Sequence, residues 1–153
     1  MNGFIQSTIT TSIVLPNNSS TIAFQNDRRT RSTEGCNGWL CHAEGSPVYK
    51  LVKPGNYRTT LTATVFSATA GTVALGIYED GVLVPSSVRS VTLSAGYLGN
   101  IALDYITKVC CKANTSITIA SVPNIVNPAD ETTPVTTLAP TISNATLNIT
   151  KLS

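Results

Sequence analysis

Few side chains in this sequence could carry chemistry. The cysteines are Cys36, Cys41, Cys110 and Cys111, and the single histidine, His42, directly follows Cys41. Thiolates and imidazole are the usual zinc ligands, so these five residues form a conceivable metal set. Their spacing suits a metal badly. Cys36 and Cys41 lie five positions apart, and Cys110 and Cys111 are adjacent, so on a strand they point to opposite faces. Thiols that behave as small hydrophobes are the expected state, with a disulfide as the alternative and a metal after it. A Cys41–His42 catalytic dyad meets the same obstacle, because strand neighbours diverge and no third group is at hand to orient the ring. The carboxylate pairs Glu79-Asp80 and Asp130-Glu131 read as solvated turn and loop charges rather than as an acid and its base. No catalytic residue, metal or cofactor is expected.

Composition narrows the classes further. The chain has 153 residues, a net charge of +2 and only 12% charged residues. That is about half the usual charged share. Threonine and serine take the place of lysine and glutamate on the surface. The densest basic spot is Arg28-Arg29-Thr30-Arg31, too small for a nucleic-acid footprint. No stretch has the length or hydropathy of a membrane span, and the N-terminal residues lack the pattern of a secretory signal. Export by lysis, as part of a particle made in the cytoplasm, is one route to an extracellular surface. Asn-x-Ser/Thr sequons at Asn17, Asn18, Asn114, Asn144 and Asn148 follow from the threonine content.

The elements that must position any site are strands. Tyr57, Thr59, Leu61, Ala63 and Val65 alternate with Arg58, Thr60, Thr62 and Thr64, the period of a half-buried antiparallel strand. Ser67 to Gly71 supplies a turn, and Val73, Leu75 and Ile77 then return to the same core, so Tyr49–Asp80 reads as a long hairpin. Leu98–Val109 sends Ile101, Leu103, Tyr105 and Val109 inward and Ala102, Asp104, Ile106 and Lys108 outward. Leu147 and Ile149 mark a closing strand. Pro123–Pro140, with four prolines, is a long excursion rather than a central strand. Pro16-Asn17-Asn18-Ser19-Ser20 sets an extended N-terminal arm, residues 1–20, apart from a main domain at 21–153. About eight strands without a helix signal predict an all-β antiparallel sandwich, most simply a jelly roll.

An ordered series of short motifs sharpens this. It runs Gly35-Cys36, His42-Ala43-Glu44-Gly45-Ser46, Lys53-Pro54-Gly55-Asn56-Tyr57, Ala70 to Val73, Asp80 to Pro85, Val109-Cys110-Cys111, and Asn148 to Leu152 at the end. The series resembles the jelly-roll domain of tumour-necrosis-factor-like ligands and of complement and collagen-tailed spore-surface heads. More closely, it resembles short proteins of phages and prophages of gut bacteria. The resemblance covers roughly Thr21 to Ser153, and it implies a homotrimer displayed on a particle surface without implying an activity.

Two functions from different classes are then expected. The first is a structural virion protein, a trimeric capsid decoration or head-fibre protein. Its arm, through Phe4, Ile5, Ile9 and Ile13, would add a strand to a capsid or fibre-base protein. Arg58, Thr60, Thr62, Thr64, Phe66 and Ile106 would form the trimer interface, since Phe66 and Ile106 are apolar where alternation calls for polar. The alternative is a receptor-binding fibre tip that holds host surface glycan or protein on the loop carrying Pro123, Asn127, Pro134 and Leu138, with Trp39 or Tyr97 as stacking aromatics.

Overall fold

The computed structural model describes residues 3–29, 38–110, 114–127 and 129–153. Two antiparallel sheets face one another across a core of Ile, Leu, Val and Tyr. The first sheet runs in the order β10 (Leu98–Val109), β6 (Gly55–Phe66), β14 (Thr141–Lys151), β1 (Phe4–Ile9), β3 (Asn26–Arg29), with β2 (Ile13–Val14) pairing the start of β14. The second runs β4 (Leu40–Cys41), β5 (Tyr49–Leu51), β11 (Thr115–Ser121), β7 (Gly71–Glu79), β8 (Val82–Leu83), with β9 (Arg89–Leu93) also on β7. A small hairpin, β12 (Asn124–Val126) and β13 (Pro134–Thr136), stands off both sheets within the proline-rich excursion. Among the described residues no helix is long and apolar enough to cross a membrane.

Alternation explains why the sheets meet as they do. Tyr57, Thr59, Leu61, Ala63 and Val65 of β6 are all buried, and so are Ile101, Leu103 and Val109 of β10. Ile142, Ala145, Leu147 and Ile149 of β14 join them from the first sheet; Val73, Leu75, Ile77, Ile117 and Ile119 meet them from the second. Tyr57 is buried along its ring and bonds its hydroxyl to the Lys53 carbonyl at 2.7 Å, which satisfies the one polar atom that its burial would strand.

Two expectations are corrected. The Tyr49–Asp80 stretch is not a hairpin: β6 pairs β10 and β14, whereas β7 pairs β11, β8 and β9. Ser67 to Ala70 therefore crosses from one sheet to the other. A period of two says which residues face the core, and both layers of a sandwich face the same core. The first twenty residues are not a detached arm, because β1 lies inside the first sheet between β14 and β3, with Ile5 paired to Ile149 and to Arg29. Ile5 and Ile9 are buried in the domain's own core and are not free to anchor another protein. The outward face of β7 is itself covered: Ala74 and Gly76 are buried, Gly76 beneath Leu83, Val88 and Val122.

Candidate functional site

The outer face of the first sheet is where polar and apolar positions depart from an ordinary solvated surface. Strand register places its residues in rows. Asn100, Thr64 and Asn144 form one row, and Ala102, Thr62, Thr146 and Thr8 the next. Asp104, Thr60, Asn148 and Gln6 follow, then Ile106, Arg58, Thr150 and Phe4. The middle of this face is threonine and asparagine, with hydroxyls and amides that bond locally: Thr64 donates to Asn100 at 3.0 Å and Gln6 to Asn148 at 3.1 Å. One ion pair neutralises itself in the middle of these rows, while Arg28 of β3, which pairs Gln6, and Lys108 of β10 stay as exposed cations toward the margins of the same face. Arg58 grips Asp104 through two nitrogens, at 3.0 and 2.5 Å, and the guanidinium's hydrogen bonds hold the Asp104 carboxyl below the usual carboxylate range.

Exposed apolar residues frame the two ends. Leu98 is 64% exposed and Val14 77%, in line with Phe66 and Thr141. At the opposite end Ile106 is 54% exposed, with Phe4 and Leu152 also at the surface. Phe66 and Ile106 lie on adjacent strands, as the alternation suggests, but at opposite ends of the face: Phe66 pairs with Leu98, and Ile106 with Arg58. Ala102 leaves a shallow depression of about 230 Å³ bordered by Thr62, Thr64, Asn100 and Asn144. The contributions of β14, Asn144 to Thr150, were missed. Leu147 and Ile149 facing inward already required their even-numbered neighbours to face out.

The histidine sits elsewhere, where the edges of the two sheets meet. The His42 side chain is fully buried, stacked on Tyr49 at 3.9 Å, with Nδ1 at 2.8 Å from the Val48 carbonyl. Its Nε2 lies 3.1 Å from Asp27 but off the axis of a good hydrogen bond. Ser7 of β1 donates to the same carboxylate at 2.6 Å, Arg29 approaches it at 3.3 Å and bonds the His42 carbonyl at 2.6 Å. The carboxylate stands between the hydroxyl and the ring, so Ser7 donates to Asp27 and does not meet the His42 imidazole as the serine of a triad would. The cluster ties β1 and β3 of one sheet to the strand β5 of the other. Burial pushes the Tyr49 phenol well above its ordinary value.

Of the cysteines, Cys41 and Cys110 fall among the described residues. Cys41 takes part in a disulfide whose partner lies outside the described residues, which corrects the expectation of a thiol there. Cys110 is exposed at the end of β10. Cys36 and Cys111 lie outside the described residues. Among the described residues no group of three His, Cys, Asp or Glu is placed to hold a metal ion.

The proline-rich excursion is more tied down than its composition implies. Asn127 accepts the Glu131 amide at 2.7 Å and donates its own to Thr133 at 2.8 Å, closing the tip. Hydrogen bonds from Thr133 and Thr132 hold the Asp130 carboxyl down at about 2. Pro134 is exposed, and Pro123 is partly covered. Leu138 packs against the core and against Gly71, so it is not a loop-tip contact residue.

No protein-family model matches the chain, and no curated protein matches it in sequence. Solved structures do match. The globular domain of a zebrafish complement 1qA protein is 9% identical, covers 98% of this chain and 97% of that one, and superposes with a TM-score of 0.56. Murine APRIL at pH 8.0 is 10% identical over 99% of this chain and 100% of that one, with a TM-score of 0.57. The fold is a jelly roll. At this identity the likeness is one of fold alone, and it takes in the N-terminal strand as well as the rest of the sandwich.

Proposed function

We propose that the chain is a structural protein of a bacteriophage particle, a homotrimer that decorates the capsid or forms a short head fibre. The observation that carries this reading is the bare outer face of the first sheet. It is five strands wide, its Arg58–Asp104 charges cancel, and exposed Leu98 and Ile106 stand at its two ends. Such a surface suits contact with copies of itself: a central polar seam fixes register, and apolar groups at the ends supply most of the burial. Thr60, Thr62 and Thr64 would line the seam. The particle context rests on the resemblance of the motif series to short phage and prophage proteins.

The attachment to a capsid or fibre base moves from an arm to an end of the sandwich. Both chain ends emerge together there, with the Lys151 amide bonded to the Gly3 carbonyl at 3.0 Å. Phe4 and Leu152, 36% and 42% exposed, mark that end as the base. Removing residues 1–16 would take out an internal strand and unfold the domain, so the double variant Phe4→Glu, Leu152→Glu is the cleaner probe. Density-gradient-purified particles should contain the wild-type chain at fixed stoichiometry and lose the variant. Wild-type chain found only in the soluble fraction sinks the reading, and selective capture of host glycan or cell surface by the isolated chain would favour the fibre-tip alternative.

A further inference from the structure

On the outer face of the second sheet a cleft of about 340 Å³ lies between the segment from β8 to Ser90, on one side of β7, and the segment Val122–Val126 that continues from β11 on the other. One wall is Leu83, Pro85 and Val88; the other is Val122, Ile125 and Val126; Ser90 and Asn124 are the polar groups that border it. Gly76 of β7 lies beneath, where a Cβ would come within 2.9 Å of Leu83, 3.1 Å of Val122 and 3.3 Å of Val88.

The walls are pinned apart rather than left to collapse. On one side the buried Ser87 hydroxyl donates to the Val84 carbonyl at 2.7 Å and accepts the Ile77 amide at 2.9 Å, while the Val84 amide bonds Ile77 at 2.9 Å. On the other, the Val122 amide bonds the Ala74 carbonyl at 2.9 Å. Thr137 bonds the Val122 carbonyl at 2.5 Å through its hydroxyl and the Pro123 carbonyl at 3.0 Å through its amide. Each wall is therefore fastened to β7 independently, and the cleft is preformed. Among the described residues no charged side chain lines it, and the neighbouring cation, Arg89, bonds the carbonyls of Ser86 and Val88.

We propose that this cleft binds a small, uncharged, mainly apolar molecule. Its volume is at the lower end of the roughly 300–1,000 Å³ range of small-ligand sites, its lining is aliphatic, and two polar groups suffice to orient a ring that bears one hydroxyl or carbonyl. A preformed site spares the ligand the cost of ordering the walls. The site is independent of trimer formation, because it lies on the opposite sheet from the proposed interface.

The test is fluorescence titration of the full chain with the neutral probe N-phenyl-1-naphthylamine. Saturable binding at one site per chain is expected. Ser90→Trp, at an exposed rim position, should fill the mouth and weaken binding at least tenfold while the thermal melt is unchanged. Val126→Lys, on the facing lip, should weaken binding in the same direction and serves if the tryptophan variant fails to fold. Absence of saturable binding, or binding that neither substitution weakens, overturns the proposal.

Discussion

The two sheets share one core but treat their outer faces differently. On the second sheet, the chain covers its own face: Leu83, Val88 and Val122 close over Ala74 and Gly76, and Ser87 is buried in the process. On the first sheet the chain leaves its face bare, with Thr62, Ala102, Asp104 and Ile106 all exposed. The residues follow from this. Where the chain supplies the cover, small residues sit beneath aliphatic ones, as in any core. Where it supplies none, the face is mostly threonine and asparagine with apolar ends, its central Arg58–Asp104 charges paired and Lys108 and Arg28 toward its margins. One face contributes to folding; the other is the face we propose for assembly.

Several substitutions would break or sharpen that contrast. The largest effect is expected from Thr62→Arg in the centre of the bare face. Three buried guanidinium groups facing one another would abolish the trimer, while the thermal stability of the separated chain stays within about 0.5 kcal/mol, as for surface changes in general. Size-exclusion with light scattering and a thermal melt read both halves of this. Next is Asp27→Ala, which removes the carboxylate that links Ser7, Arg29 and His42 across the sheet edges. Breaking a buried charged cluster should cost about 3 kcal/mol in urea unfolding. A loss below about 1 kcal/mol would mean that the edges are held by apolar packing alone.

Gly76→Val tests the covered face. Its side chain would press on Leu83, Val88 and Val122, and overpacking of this kind costs about 1–3 kcal/mol. Stability should fall while the assembled mass is unchanged, the reverse of Thr62→Arg. The smallest effect belongs to the loop tip. The Asp130 carboxyl, held at about 2 by Thr133 and Thr132, is depressed, so its contribution is present above the ordinary carboxylate range and is lost as pH falls through about 2. The Thr133 amide resonance should titrate there, and a midpoint near 4 would contradict the hydrogen bonding described.

Half-buried strands write their burial into sequence, which is why the inward faces of β6 and β10 were legible residue by residue. Leu103 and Asp104 differ in burial because they differ in side. Pairing was not legible. Val65 and Val73 both point to the core, yet they belong to different sheets, and alternation carries no record of which neighbour supplies the hydrogen bonds. β1 misled for a related reason: Ile5 and Ile9 look like a detachable apolar stripe, and only the register with Ile149 and Ala145 shows them closing this chain's own core. The cover over Gly76 was invisible because alternation does not show that Leu83, Val88 and the distant Val122 meet above it. Of the candidate interface, the β6 residues were recoverable from period alone, whereas the β14 residues needed the knowledge that β14 lies beside β6.

The mass of the purified chain in solution is the most direct test. At micromolar concentration, light scattering should give three times the 16.1 kDa chain mass. A persistent 16.1 kDa species would contradict the account, because it would mean that the bare face of the first sheet faces only water.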